Sequence, residues 1–157
     1  MRPARDGRGD VRCAHLPATT KGTAEMWQSE FRLRLGEIDG LGHLTATAYL
    51  GLFEETRAAW IMSTLGVTYP SYVLARQHID YLHEVRLADG PVTVSLAVQS
   101  LGNSSLRVSE RLTTREALCA RSVATLVTWD MEQRRSRPIT PAERALFESF
   151  LEPTPSL

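Results

Sequence analysis

This sequence is short of several things, and each shortage excludes a class of protein. Lysine is nearly missing: Lys21 is the only one, so arginine carries the cationic character. Lysine and arginine together number 18, as do aspartate and glutamate, leaving a formal net charge of +0. A balanced chain has no general electrostatic pull toward nucleic acid or an anionic membrane, and neither is expected as a partner. No apolar run approaches membrane-spanning length, and no secretory apolar core stands near the N-terminus. Cys13 and Cys119 do not make a disulfide framework, so a cytoplasmic protein is expected. No histidine–carboxylate spacing argues for a metal, and no glycine-rich loop leads from a strand into a helix to cradle a nucleotide. The Gly-x-Ser-x-Gly elbow of serine hydrolases is also missing. No metal or bound cofactor is expected.

What remains is a chain of 157 residues, long enough for one domain with a sizeable core. Residues 1–25 are rich in Arg, Gly, Asp, Pro and Thr with almost no apolar periodicity, and are expected to form a disordered extension. Cys13 and His15 within it do not close a metal site, because two ligands are too few. Residues 26–152 are expected to form a single domain and 153–157 a tail.

The domain opens on Trp27 to Leu35, where apolar or small residues at 27, 29, 31, 33 and 35 alternate with polar ones. Period two predicts a strand with one buried face. A helix is predicted over 47–65 with Gly66 as its C-terminal stop. Leu50, Phe53, Trp60, Ile61 and Leu65 share one side of it, and Ala48, Ala58, Ala59 and Met62 keep the remainder small or apolar. Only Glu54, Glu55 and Arg57 interrupt that coat, which predicts an enclosed helix.

Strands then follow one another: 72–85, 92–99, 106–112 and 117–129, with turns at 87–91 and 101–104. Thr140-Pro141-Ala142-Glu143 is a capping box with proline in the first helical position, and opens a short helix ending near Phe150. The order of strand, long helix, four strands and short helix has no recurring βαβ unit. It predicts an α+β fold in which a curled five-stranded antiparallel sheet wraps one long central helix. Such a sheet leaves an open edge, a physical reason to expect a homodimer or homotetramer.

Between the first strand and the helix lies Glu37-Ile38-Asp39-Gly40-Leu41-Gly42-His43, followed by Tyr49 and Phe53-Glu54-Glu55. A junction of this kind sets a carboxylate and a helix N-terminus around one small volume, useful for splitting an activated acyl group. Other readings stand beside that one. Asp39 before a glycine also suits a turn or helix cap. His43 suits a second acid/base or an orienting and packing role. Tyr49 suits a pocket or the core. Glu54 and Glu55 offer a second carboxylate, or a structural pair bonded to Arg57. His78 and His83 read as ordinary strand residues.

The stretch resembles the 4-hydroxybenzoyl-CoA thioesterase-like family of hotdog-fold acyl-CoA thioesterases. Their motif looks like Asp-x-Asp-x-x-Gly-His-Val-Asn-Asn-x-x-Tyr-x-x-x-Phe-Glu. Glu37 stands at its first acidic position and Asp39 at its second, with Gly42-His43, Tyr49 and Phe53-Glu54 in step. Thr45 and Ala46 replace the two asparagines. The resemblance implies a hotdog fold, hydrolysis of acyl-CoA to acid and CoA, Asp39 as catalytic base or nucleophile, and the Ala46 backbone N–H as donor to the carbonyl oxygen. It also implies substrate contacts from His43, Thr45 and Tyr49, and an acyl pocket at a dimer interface. Asn103-Ser104-Ser105 matches the family's Gly-x-x-Ser turn and is expected to line a pantetheine channel. Arg107, Arg134, Arg135 and above all Arg137 are candidates for the CoA phosphates, which guanidinium groups recognise bidentately. Three alternatives stay open: a thioesterase for acyl carrier protein-bound chains, a hotdog hydratase or dehydratase using Asp39 and His43, and a non-catalytic acyl-CoA-binding module.

Overall fold

The computed structural model describes residues 25–153. The expected extension over 1–25 lies outside them apart from Glu25, as does the tail over 153–157 apart from Pro153. The elements are β1 (Trp27–Phe31), α1 (Ala46–Leu65), β2 (Tyr72–Tyr81), β3 (Val92–Leu101), β4 (Ser105–Thr113), β5 (Leu118–Asp130), β6 (Arg135–Ser136) and α2 (Pro141–Glu148).

The strands form one antiparallel sheet in the order β1-β3-β4-β5-β2, with β6 paired to β5. The sheet curls around α1 and makes the hotdog fold. The five expected strands are present, and the two-residue β6 is an addition that period-two reading misses because it is too short to alternate. The first strand is shorter than its pattern. After Phe31 the alternation continues, but the chain leaves the sheet and makes a single 3-10 turn at Leu35–Glu37. There the Arg34 N–H donates to Glu37 Oε2 at 2.8 Å, so the acidic side chain closes the turn. β2 likewise ends at Tyr81 rather than at 85. The N–H groups of Leu82 and His83 both turn to the Cys119 carbonyl, at 2.8 and 3.2 Å.

Helix α1 begins at Ala46 because Thr45 caps it: its side chain accepts the Ala48 N–H at 3.1 Å. Gly66, at φ 66°, ends it in the left-handed conformation. The buried stripe is Tyr49, Leu52, Phe53, Thr56, Arg57, Trp60 and Ile61, which follows the three- and four-residue spacing of one helix face. Leu50 is not part of it and is 44% exposed, so the helix is only partly enclosed. Two apolar clusters fill the space under the sheet. One gathers Phe53, Tyr49, Val92, Val94, Leu112 and Ala120, and the other Trp60, Leu96, Val108, Ala124, Leu126 and Phe147. Full burial of a side chain of this size contributes about 1.5–3 kcal/mol relative to exposure.

Strand β2 is different. Among the described residues it pairs only with β5, and Val73, Leu74 and Tyr81 along it are exposed. Among those residues no helix is long and apolar enough to cross a membrane.

Candidate active site

The junction from Asp39 to His43 is a closed loop. The Asp39 N–H donates to the His43 carbonyl at 2.8 Å, and the Gly42 N–H to the Asp39 carbonyl at 3.0 Å. Gly42 makes this possible with φ 83°, a backbone region that side chains disfavour. Asp39 Oδ1 accepts two further N–H groups, from Leu41 at 2.8 Å and His43 at 3.0 Å. Asp39 does cap its turn, then, but with one oxygen. Among the described residues no donor engages Oδ2. The His43 N–H first, and the Leu41 N–H second, hold the Asp39 carboxyl below its ordinary 3.8.

The loop is anchored by Leu44, whose N–H donates to the Val85 carbonyl at 2.7 Å. That bond brings the segment after β2 against the start of α1 and closes a cleft of ≈ 390 Å³. Asp39, His43, Ala46, Tyr49, Tyr81 and Glu84 all line it. The N–H of Ala46 is the first of the helix and has no helix carbonyl four residues before it, and among the described residues it donates to no other group. It therefore presents a free donor, strengthened by the helix dipole. Tyr49 is buried and packs edge-on against Tyr81, ring centroids 5.1 Å apart. Burial first, and the nearby Cys119 and Tyr81 second, push its hydroxyl up to about 12, so it stays protonated.

His43 Nε2 lies 2.5 Å from Glu84 Oε2, the two side chains being 39% and 53% exposed. Glu84 is a site residue that sequence reasoning passes over. Nothing in its pattern marks it, because the contact exists only once the Leu44–Val85 bond has formed. Thr45 lies outside this cleft. Besides capping α1 it lines a separate hollow of ≈ 280 Å³ with Glu37 and Glu55.

Asn103, Ser104, Ser105 and Arg137 are not brought to Asp39 within one chain. Ser105 opens β4 and pairs with Val127, whereas Leu112 at the far end of β4 pairs with Ala120, beside the cleft. A strand of this length spans about 30 Å at roughly 3.3 Å per residue. The turn is held internally: the Thr128 N–H donates to the Ser104 carbonyl at 2.9 Å and the Ile139 N–H to the Asn103 carbonyl at 2.8 Å. Arg137 makes a bidentate pair with Glu143, at 2.8 and 2.7 Å. Arg57 pairs with Glu110 of β4, not with Glu54 or Glu55. Among the described residues no cluster of His, Cys, Asp and Glu is arranged to hold a metal ion.

A curled antiparallel sheet around one helix, with a cleft at the helix N-terminus, defines a hotdog protein. More narrowly, the chain belongs to the thioesterase-like superfamily, whose family model matches residues 33–147. Solved structures agree. A predicted thioesterase from Bacillus stearothermophilus is 25% identical, with a TM-score of 0.74, over 82% of this chain and 99% of that one. A thioesterase from Thermus thermophilus, solved with coenzyme A and Zn, is 25% identical with a TM-score of 0.70, over 83% and 96%. The PA2801 protein from Pseudomonas aeruginosa, provisionally named a thioesterase, is 31% identical with a TM-score of 0.65, over 75% and 95%. No curated protein matches the chain significantly.

Proposed function

We propose that the protein hydrolyses acyl-CoA thioesters to free acid and CoA, with Asp39 delivering water and the Ala46 N–H receiving the carbonyl oxygen. The observation that carries this reading is the meeting of two unspent groups in one cleft: Asp39 Oδ2 and the Ala46 N–H. Thioester hydrolysis needs a group that activates water and a donor where negative charge develops. An aspartate held below its ordinary value is ionised at neutral pH and free to take the proton of water. The coenzyme A bound to the Thermus thermophilus relative supports CoA as the carrier. The protein works in the cytoplasm on this reading, and its Cys119 is a buried free thiol.

The open edge of β2 supports pairing of two chains, β2 against β2. An antiparallel pair about a two-fold axis sets the Tyr72 end of one strand beside the Tyr81 end of the other. The Asn103–Ser105 turn lies at the Tyr72 end of the sheet, so this pairing turns that end of one chain toward the Asp39 cleft of the other, a role across the interface that the turn lacks within one chain.

The test is thiol release from a panel of short, long and aromatic acyl-CoAs, with wild type beside Asp39→Asn. Release that vanishes in a folded Asp39→Asn protein supports the reading. Near wild-type release in that variant removes Asp39 from the chemistry. No release by the wild type from any member overturns acyl-CoA hydrolysis and turns the search to carrier-protein substrates.

A further inference from the structure

We propose that His43, held by Glu84, is the acid that protonates the departing thiolate, a role resting on the thioesterase reading above. Hydrolysis makes two opposite demands. Asp39 takes a proton from water as the C–O bond forms, and the sulfur must receive one as the C–S bond breaks. The cleft offers few groups for the second task. Tyr49 is pushed up to about 12 and releases its proton reluctantly. His83 also lines the cleft, but among the described residues no carboxylate holds it. His43 alone combines three features: it lines the cleft, its backbone N–H grips the Asp39 carboxylate at 3.0 Å, and its Nε2 meets Glu84 Oε2 at 2.5 Å.

The arrangement divides the labour by position. One ring nitrogen is spent on Glu84, which fixes the plane of the imidazole. The other nitrogen carries the proton to be given. Attack moves one proton from water to Asp39 Oδ2 and places negative charge on the carbonyl oxygen at the Ala46 N–H. Collapse returns that electron pair to the carbon, breaks the C–S bond and leaves the bonding pair on sulfur. His43 then donates its proton to the sulfur and is left neutral. The proton on Asp39 passes back to His43 through water, so water is the only co-reactant. Glu84 touches no reacting atom and is a positioning residue.

A thiol acidic enough to leave as its anion does not need the acid, and this separates chemistry from folding. The same acyl group is presented on CoA and on 4-nitrothiophenol to wild type, His43→Gln, Glu84→Gln and Asp39→Asn. His43→Gln is expected to lose about 100-fold in kcat toward the CoA ester and to stay within about threefold toward the aryl ester. Glu84→Gln is expected to show the same selective loss, about tenfold, since the imidazole remains but faces a neutral amide acceptor in place of the carboxylate. Asp39→Asn loses both substrates. Equal losses on the two esters in His43→Gln and Glu84→Gln, or no loss on either, overturn the proposal. Wild type inactive on both esters overturns the thioesterase reading itself, a different result.

Discussion

Arg57, midway along α1, sets Nη1 3.0 Å from both carboxylate oxygens of Glu110 on β4, with 1% and 0% of the two side chains exposed. Ser122 of β5 donates to the same carboxylate at 2.7 Å, and Gln77 of β2 donates to Ser122 at 3.0 Å. One residue from each of four elements thus meets at a single level of the fold. That level separates the two apolar clusters. Arg57 stands between Phe53 and Trp60 on the helix, Glu110 between Val108 and Leu112, and Ser122 between Ala120 and Ala124. The helix cannot slide along the sheet without breaking the pair, so the ion pair fixes the height of Ala46 against the cleft.

Glu110→Ala is expected to cost about 3–5 kcal/mol, because it leaves a buried guanidinium without its counter-charge. The double variant Arg57→Met with Glu110→Leu, which buries no charge, is expected to lose much less. Urea unfolding of the three proteins measures this. A double variant as unstable as the single one would show that the lost packing, not the stranded charge, sets the cost.

Gly42→Ala forces a side chain into the left-handed region at φ 83°, although nothing lies within 4 Å to obstruct the methyl group. The strain is about 1–2 kcal/mol. Because the loop also holds Asp39, the loss of thiol-releasing activity is expected to exceed the loss of stability. Thermal melts and turnover on one preparation compare the two. Full activity in Gly42→Ala would show that the loop tolerates a rearranged turn.

Activity is expected to hold as pH falls through the ordinary carboxylate range. On the proposed mechanism Asp39 is the ionised base, and two backbone N–H groups hold its carboxyl below the ordinary 3.8. The acidic limb of kcat/KM belonging to Asp39 therefore falls below that value. A pH–rate profile over the range where the protein stays folded checks it. A limb centred above about 4.5, in the ordinary glutamate range, would assign the base to another carboxylate.

Glu143 gives a stability counterpart with a definite sign. Its bonds from the Arg137 guanidinium hold its carboxyl below the usual 4.5 when folded. A depressed folded value means that the stabilisation is present above the ordinary, unfolded value and is lost as pH falls through the lower, folded one. Glu143→Gln is expected to be about 1 kcal/mol less stable at neutral pH, with the gap closing in acid. Denaturant melts of both proteins at neutral and acid pH test it. A gap independent of pH would assign the loss to the α2 cap, where Glu143 also accepts the Thr140 N–H at 2.9 Å.

Much of this was readable in the chain because it is local. Alternation places the strands and the Thr140–Glu143 box starts α2, since both depend on neighbours within a few residues. The motif from Glu37 to Tyr49 points to Asp39, and the turn that holds Asp39 is closed by its own neighbours Leu41 and His43. Where local pattern misleads, a longer contact has won. Arg57 reads as a structural partner of Glu54 and Glu55, yet its partner Glu110 lies on β4, and only burial between helix and sheet makes that pairing necessary. Leu50 reads as core because it is apolar, but the stripe facing the sheet is set by Tyr49, Phe53 and Trp60.

The kinds of element, the turn at Asp39 and the free N–H at Ala46 were written into the chain. Each follows from backbone preferences and side-chain bonds spanning no more than four residues. Which groups share the cleft depended on the folded arrangement. Glu84 meets His43, and Tyr81 meets Tyr49, because the Leu44 N–H finds the Val85 carbonyl across the fold. Ser104 and Arg137 lie at the other end of β4 for the same kind of reason, a sheet order that no short-range pattern encodes.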